Sequence, residues 1–397
     1  MLPSDFDLEI NRREVPALKT HKMVLGADGE NLFPAGVADM DFMAPPPVRA
    51  ALQARLDHGI FGYETVPDGL MPALTSWMHS RHGWDINASH ILRAPNILNA
   101  LAIAASIFTK AGEGVIVQPP VFFDFYDILE ENGRNILRNP LILQNGRYTM
   151  DFEGLEALAA DPKAKMIYLC NPHNPIGRVW TRAELQRLGD ICARHNVLVV
   201  SDEIHADITF EGHDYTPFAA LGLAYADNSI TCISPAKSFN IAACCSAFTV
   251  ISNEVHRKAF QVENSRLTVN KNNAFASAAM TAAYAEGGPW LDDVLSYIAG
   301  NVALVREALA PFNAVQLIEP EGTFLLWLDF RAMGLTPEDL TKFLRGKAGW
   351  AVTRGQAFGA EGEGFARLNI ACTRANLAAA LTKLTTALSQ THDGDQK

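Results

Sequence analysis

Hydrophobic positions in the middle of the chain follow two alternating patterns. Short, nearly continuous apolar runs occur at 114–117 (GVIV), 166–170 (MIYLC), 197–200 (VLVV), 229–234 (SITCIS) and 247–252 (AFTVIS). Runs of this length and kind read as strands buried on both faces. Between them lie stretches with helical spacing. In TRAELQRLGDICARHN (181–196), Leu185, Leu188, Ile191 and Cys192 form one apolar stripe, and Thr181 with Glu184 forms a capping box. Strands interleaved with helices predict a mostly parallel sheet covered on both sides, an α/β fold.

The last third changes character. TFLLWLDF (323–330), WAVTRG (350–355) and FARLNIAC (365–372) read as strands, with helical TPEDLTKFLRGKAG (336–349) and TRANLAAALTKLTTALSQ (373–390) among them. This pattern predicts a smaller α+β domain, joined by the N-terminal segment. The final THDGDQK (391–397) reads as a frayed tail.

Composition narrows the class. A chain of 397 residues exceeds what one hydrophobic core comfortably serves, so two domains are expected. A net charge of −11 disfavours nucleic acid and anionic membrane as partners. No apolar run approaches the roughly 18–20 residues of a membrane span. The N-terminal stretch mixes charges and lacks the apolar core of a signal peptide. The six cysteines form no CxxC pair and read as reduced, buried thiols of a cytoplasmic protein, with Cys244 and Cys245 as packing residues.

Ligands of open parallel sheets bind beyond the carboxyl ends of the strands. Three consecutive strands are followed there by Asn174, by Asp202 with His205, and by Lys237. Each has a plainer reading by itself. Asn174 before Pro175 suits a turn, Lys237 can snorkel to water, and Asp202, Glu203, His205 and Asp207 resemble a metal cluster, although no second histidine lies at ligand spacing. Together they fit pyridoxal 5′-phosphate. That cofactor needs an amine to hold it covalently and a carboxylate to keep its ring nitrogen protonated. The Asn174 amide and His205 suit the phenolic oxygen. The phosphate suits a helix start, which Asn96, Ile97 and Leu98 supply after Pro95, though the same stretch also reads as an ordinary buried helix. Phe122, just past a strand, reads equally as a ring-stacking residue or as core.

The blocks VADMDF, HGIFGY, GEGVIVQPP, CNPHNPIGRVW, VLVVSDEIHAD, KSFNI, GTFLLWLD and EGFARLNIAC occur in that order over nearly the whole chain. Together they resemble fold-type I pyridoxal-phosphate enzymes of the class I/II aminotransferase superfamily, most closely the cystathionine β-lyase-like C–S lyases of the MalY/PatB group. The resemblance implies a fold-type I transferase fold. Residues 49–285 would form a large cofactor-binding domain with a mostly parallel seven-stranded sheet, 286–397 a small domain, and 1–48 an N-terminal segment joining the small domain. It implies that Lys237 is the covalent anchor and general base, that Asp202 pairs with the ring nitrogen, and that Asn174 contacts the ring oxygen, with His205 where aminotransferases often carry tyrosine. Phe122 falls at the stacking position. Ser234 would bind phosphate, Tyr63 would reach the phosphate of a neighbouring subunit in a homodimer with shared sites, and Arg367 would clamp the substrate α-carboxylate.

Three positions depart from that pattern. Gly36 stands where the lyases carry Trp, Arg354 belongs to TRG where NPG is usual, and Cys245 takes the place of a phosphate-binding Arg of aminotransferases. Gly36 and Arg354 imply a roomier pocket with an added positive charge, suited to an anionic or polar substrate side chain. The expected activity is C–S β-elimination on an L-cysteine thioether, giving thiol, pyruvate and ammonia. An aminotransferase uses the same residues for its early steps and is the alternative. A non-catalytic regulatory protein of this fold ranks behind both, because the lysine and aspartate are retained.

Overall fold

A computed structural model describes residues 6–27 and 29–392. Seven strands form the main sheet: β1 (Ile91–Ala94), β2 (Gly114–Val117), β3 (Asn135–Arg138), β4 (Ala164–Cys170), β5 (Leu198–Asp202), β6 (Ser229–Ile233) and β7 (Ala247–Val250). Their spatial order is β1-β7-β6-β5-β4-β2-β3. All neighbours from β3 to β6 pair in parallel, whereas β7 runs antiparallel to both β6 and β1. Helix α1 (Leu70–His82) precedes the sheet, and the alternation of the strands sorts the core into two layers. Val115, Val117, Met166, Tyr168 and Val200 pack on one face beneath helices α2 (Ile97–Phe108) and α3 (Asp124–Glu131). Ile116, Ile167, Leu169, Val197 and Val199 pack on the other against α4 (Arg182–Arg194). Both partners of the Thr181–Glu184 capping box are in place at the start of α4.

A second sheet in the last third joins β8 (Gln316–Ile318), β9 (Leu325–Asp329), β10 (Thr353–Arg354) and β11 (Phe365–Asn369) in the order β8-β9-β11-β10, antiparallel throughout. The stretch WAVTRG does not form one strand. Trp350–Ala351 pairs in parallel with Phe33–Pro34 of the N-terminal segment, and only Thr353–Arg354 joins the second sheet. The helix expected over 336–349 is α-helical over Pro337–Lys342 and continues as a π-helical turn over Phe343–Lys347. The last helix runs from Arg374 to His392, so the rest of the expected frayed tail, 393–397, lies outside the described residues. Four cysteines are buried, but Cys244 and Cys245 are only half-buried, because they sit in the exposed turn between β6 and β7 rather than within a strand.

The register of the main sheet explains where a site forms. Cys170 of β4, Asp202 of β5 and Cys232 of β6 stand side by side, so the three following turns leave one edge together. Asp202 is itself the last residue of β5 and not a loop residue, since its backbone is paired on both sides.

Candidate active site

Lys237 lies in a tight turn after β6, held by Phe239 N to Pro235 O and Ile241 N to Ala236 O, each 3.1 Å. Its Nζ donates to the Ala38 carbonyl at 2.6 Å. Burial, and next the positive charge of Arg367, lower its pKa, while Asp39 and Asp202 oppose the shift. Asp202 is buried, and burial raises its carboxyl to about 6 despite the 3.1 Å hydrogen bond from Ile204 N. His205 is held neutral, its pKa pushed down to about 3 by burial and by the charges of Lys237 and Arg367. Its Nδ1 is buried without a partner.

Arg367, on β11, faces the same space. Its Nη1 donates to Asn174 Oδ1 at 3.0 Å, and its Nη2 donates to Gly36 O at 2.6 Å and to Thr353 Oγ1 at 3.3 Å. Its Nε is buried and unpartnered, and burial lowers its pKa to about 9. Asn174, Arg367 and Lys237 are therefore brought together by three separate parts of the chain.

The VADMDF segment forms a strap across this space. Besides its Ala38 carbonyl and that of Gly36 just before it, its Val37 and Asp39 carbonyls accept from Asn369 Nδ2 at 2.6 and 2.7 Å. Asn240 closes on the Met40 backbone from both its amide nitrogen and its oxygen, each at 3.0 Å. On the outer side, Arg12 grips Asp39 and Asp41 at 2.6 and 2.8 Å, and the buried Lys19 reaches Asp41 at 2.9 Å.

The remaining candidates fall around this centre. Asn96 caps α2 by accepting from Asn99 N at 2.7 Å, which leaves the Ile97 and Leu98 N–H groups without an intrahelical acceptor. Ser234 Oγ donates to Ser246 O at 2.9 Å, accepts from Ala236 N at 3.3 Å, and lies 3.6 Å from Cys245 Sγ. Phe122 is half-buried beside Phe123, ring centres 4.9 Å apart. Tyr63 is fully exposed, in a stretch that also exposes Ile60 and Phe61.

One expectation needs correction. Arg354 does not face the substrate space. Thr353 pairs with Arg367 across β10 and β11, so strand alternation turns Arg354 to the opposite face, against a crevice lined by Pro337, Leu340, Leu344 and Phe365. Gly36 contributes its carbonyl, and a β-carbon there would meet Thr353 Oγ1 and Ala351 O at the ordinary distances of 3.4 and 3.5 Å. The carboxylates adjacent to Asp202 are also committed elsewhere. Glu203 accepts from Ser201 Oγ, Tyr215 and Phe218 N, and Asp207 from Trp77, His82 and Ser238.

Sequence reasoning missed Thr353, which lies in the quoted TRG, and Asn240 and Asn369, which lie inside KSFNI and FARLN. It also missed Asp124 at the start of α3. That carboxyl is raised by burial and by Asp127, and it feels the charges of Lys237 and Arg367.

An amine, a buried carboxylate close enough to feel its charge, an unpaired buried imidazole nitrogen and open helix-start N–H groups are the donors and acceptors that a phosphorylated pyridine aldehyde requires. Comparison with known proteins agrees. The chain belongs to the class I and II aminotransferase family, whose sequence profile matches residues 30–384. Within that family it is 44% identical over 358 residues to cystathionine β-lyase PatB of Bacillus subtilis (strain 168), spanning 90% of this chain and 92% of the relative. Among solved structures, cystalysin of Treponema denticola, which contains pyridoxal 5′-phosphate, aligns with a TM-score of 0.93 at 32% identity over 98% of this chain and 99% of its own. The pyridoxal-phosphate-bound C–S lyase of Staphylococcus hominis aligns with a TM-score of 0.89 at 29% identity, over 96% and 97% of the two chains.

Proposed function

We propose that this chain is a pyridoxal-phosphate-dependent C–S β-lyase that cleaves an L-cysteine thioether to thiol, pyruvate and ammonia. The observation that carries the lyase reading is the 44% identity to a cystathionine β-lyase across nine-tenths of the chain. When bound, the cofactor supplies an electron sink for the Cα–H bond that must break.

The residues divide the remaining work. Lys237 Nζ is the covalent anchor and, once released, the base for the α-proton. Burial and Arg367 both favour its neutral form, which a base requires. Asp202 holds a proton on the ring nitrogen, where a positive partner stabilises the carboxylate that burial otherwise disfavours. Neutral His205 and Asn174 are placed for the ring oxygen. Phe122 offers a stacking face, and Ser234 with the N–H groups of Ile97 and Leu98 behind the Asn96 cap offers the phosphate seat. Arg367 takes the substrate α-carboxylate as a planar fork, already oriented by Asn174, Gly36 and Thr353. The strap over Lys237 and Arg367 limits water at the reacting centre.

The 1–48, 49–285 and 286–397 division is kept as the domain scheme, since the N-terminal Phe33–Pro34 pairing with Trp350–Ala351 ties that segment to the last third. The exposed Ile60, Phe61 and Tyr63 support a homodimer in which Tyr63 completes a neighbour's phosphate seat, and sedimentation at the mass of one chain would contradict it. Among the described residues no helix is long and apolar enough to cross a membrane, and a cytoplasmic location accords with the acidic charge and free thiols.

The decisive assay supplies cystathionine or another cysteine thioether without any keto-acid acceptor. Steady release of pyruvate and ammonia is expected. Turnover only in the presence of a keto acid would instead identify an aminotransferase.

A further inference from the structure

Behind Lys237 lies a buried polar cluster that the proposed chemistry does not use. Asp207 occupies the turn that follows β5, the same turn that carries His205, a few residues after Asp202. Its Oδ2 accepts from Ser238 Oγ at 2.6 Å, and Ser238 is the residue next to Lys237. Its Oδ1 accepts from Trp77 Nε1 at 2.9 Å and shares a 2.7 Å hydrogen bond with His82 Nε2. Trp77 and His82 lie on the helix Leu70–His82. The His82 ring stands edge-on to Tyr215, centres 4.9 Å apart, and the Tyr215 hydroxyl bonds Glu203. Burial would raise the Asp207 carboxyl, but the donors from His82, Ser238 and Trp77 outweigh it and hold the group ionised.

The position of this cluster gives it a task. A bound pyridine ring would be rigid, so the residue that anchors it and the residue that meets its nitrogen would need a fixed spacing. The end of β5, which carries Asp202, and the turn that carries Lys237 must therefore keep a fixed separation. The Ser238–Asp207 hydrogen bond ties the Lys237 turn to the turn that directly follows Asp202, and Trp77 and His82 fasten the junction to a third element. A charged acceptor makes each of these bonds stronger than a neutral one would be.

We propose that Asp207 is a positioning residue for Lys237, setting the spacing between the anchoring amine and Asp202 by gripping Ser238. The proposal rests on the assignment of Lys237 and Asp202 to the cofactor.

The test compares the holoenzymes of wild type, Ser238→Ala, Ser238→Thr and Asp207→Asn. Three quantities are measured: visible circular dichroism per bound cofactor, the Kd for pyridoxal phosphate, and kcat separately from KM. Ser238→Ala removes one bond while Asp207 keeps Trp77 and His82, so this variant reports even if Asp207→Asn does not fold. A misplaced reacting group costs about ten- to hundredfold in rate, so kcat of Ser238→Ala should fall by that factor with KM little changed. Its visible dichroism should change and its Kd for the cofactor should rise, and Ser238→Thr, which keeps the hydroxyl, should restore all three. Ser238→Ala with wild-type dichroism, cofactor Kd and kcat, whatever its melting temperature, would overturn the proposal. Lys237→Ala run alongside separates this outcome from failure of the underlying assignment, because only the latter leaves covalently held cofactor in that variant.

Discussion

Arg367 is committed in three directions before any substrate arrives, to Asn174, Gly36 and Thr353, and its buried Nε is still open. A lysine at this position keeps one charge but loses the planar fork and most of those bonds. Hydrogen bonds to charged groups contribute about 1.5–3 kcal/mol, so Arg367→Lys should raise KM for the amino acid roughly 10- to 150-fold. Steady-state kinetics check this, and an unchanged KM would remove Arg367 from the carboxylate. Arg354→Ala in the same assays should leave kcat/KM within about twofold for neutral and acidic thioethers alike, as for a surface substitution away from the site. The convergence of Lys237, Asp202 and Asn174 was legible in the sequence because the type of each residue and the strand before it both pointed to one edge, whereas Arg367, inside a strand of the second sheet, was reached only through the resemblance carried by FARLN. Arg354 was not, because the face a strand residue takes depends on its register with β11, which adjacent residues do not reveal.

At the level of elements, five of the seven main-sheet strands (β2 and β4 to β7) and α4 were readable because apolar runs and a capping box are local signals, whereas β1 and β3, which are only partly buried, carry no such run. The division of WAVTRG was not, because Trp350–Ala351 finds its partner more than 300 residues upstream at Phe33–Pro34. The turn after β4 carries a testable consequence of close packing. His173 is buried there with Nε2 2.9 Å from Pro120 O and Nδ1 unpartnered. Burial is the first cause that lowers its pKa from 6.5 to about 4. The unfolded chain thus binds a proton that the folded chain refuses. The contribution of this group is complete above pH 6.5 and is lost as pH falls to about 4. Denaturant unfolding over that range should show wild type losing stability faster than His173→Gln, by up to about 1.4 kcal/mol per pH unit. Parallel slopes would show that the imidazole is not held neutral.

The whole molecule converges on the space between two sheets and one strap. The main sheet delivers Asn174, Asp202 and Lys237, the second sheet delivers Thr353 and Arg367, and the N-terminal segment lays Gly36 and Ala38 across them. The strand-turn order made the fold legible, whereas the strap was hidden because its ties through Asn240, Asn369, Arg12 and Lys19 are all distant in sequence. Every proposed step depends on the bond between Lys237 and the cofactor. Borohydride reduction of the purified holoenzyme, followed by proteolysis and peptide mass mapping, tests that bond directly. A pyridoxyl-phosphate mass on the peptide containing Lys237, and on no other lysine, is predicted. Label on a different lysine, or no label in a protein that still releases pyruvate, would contradict the account.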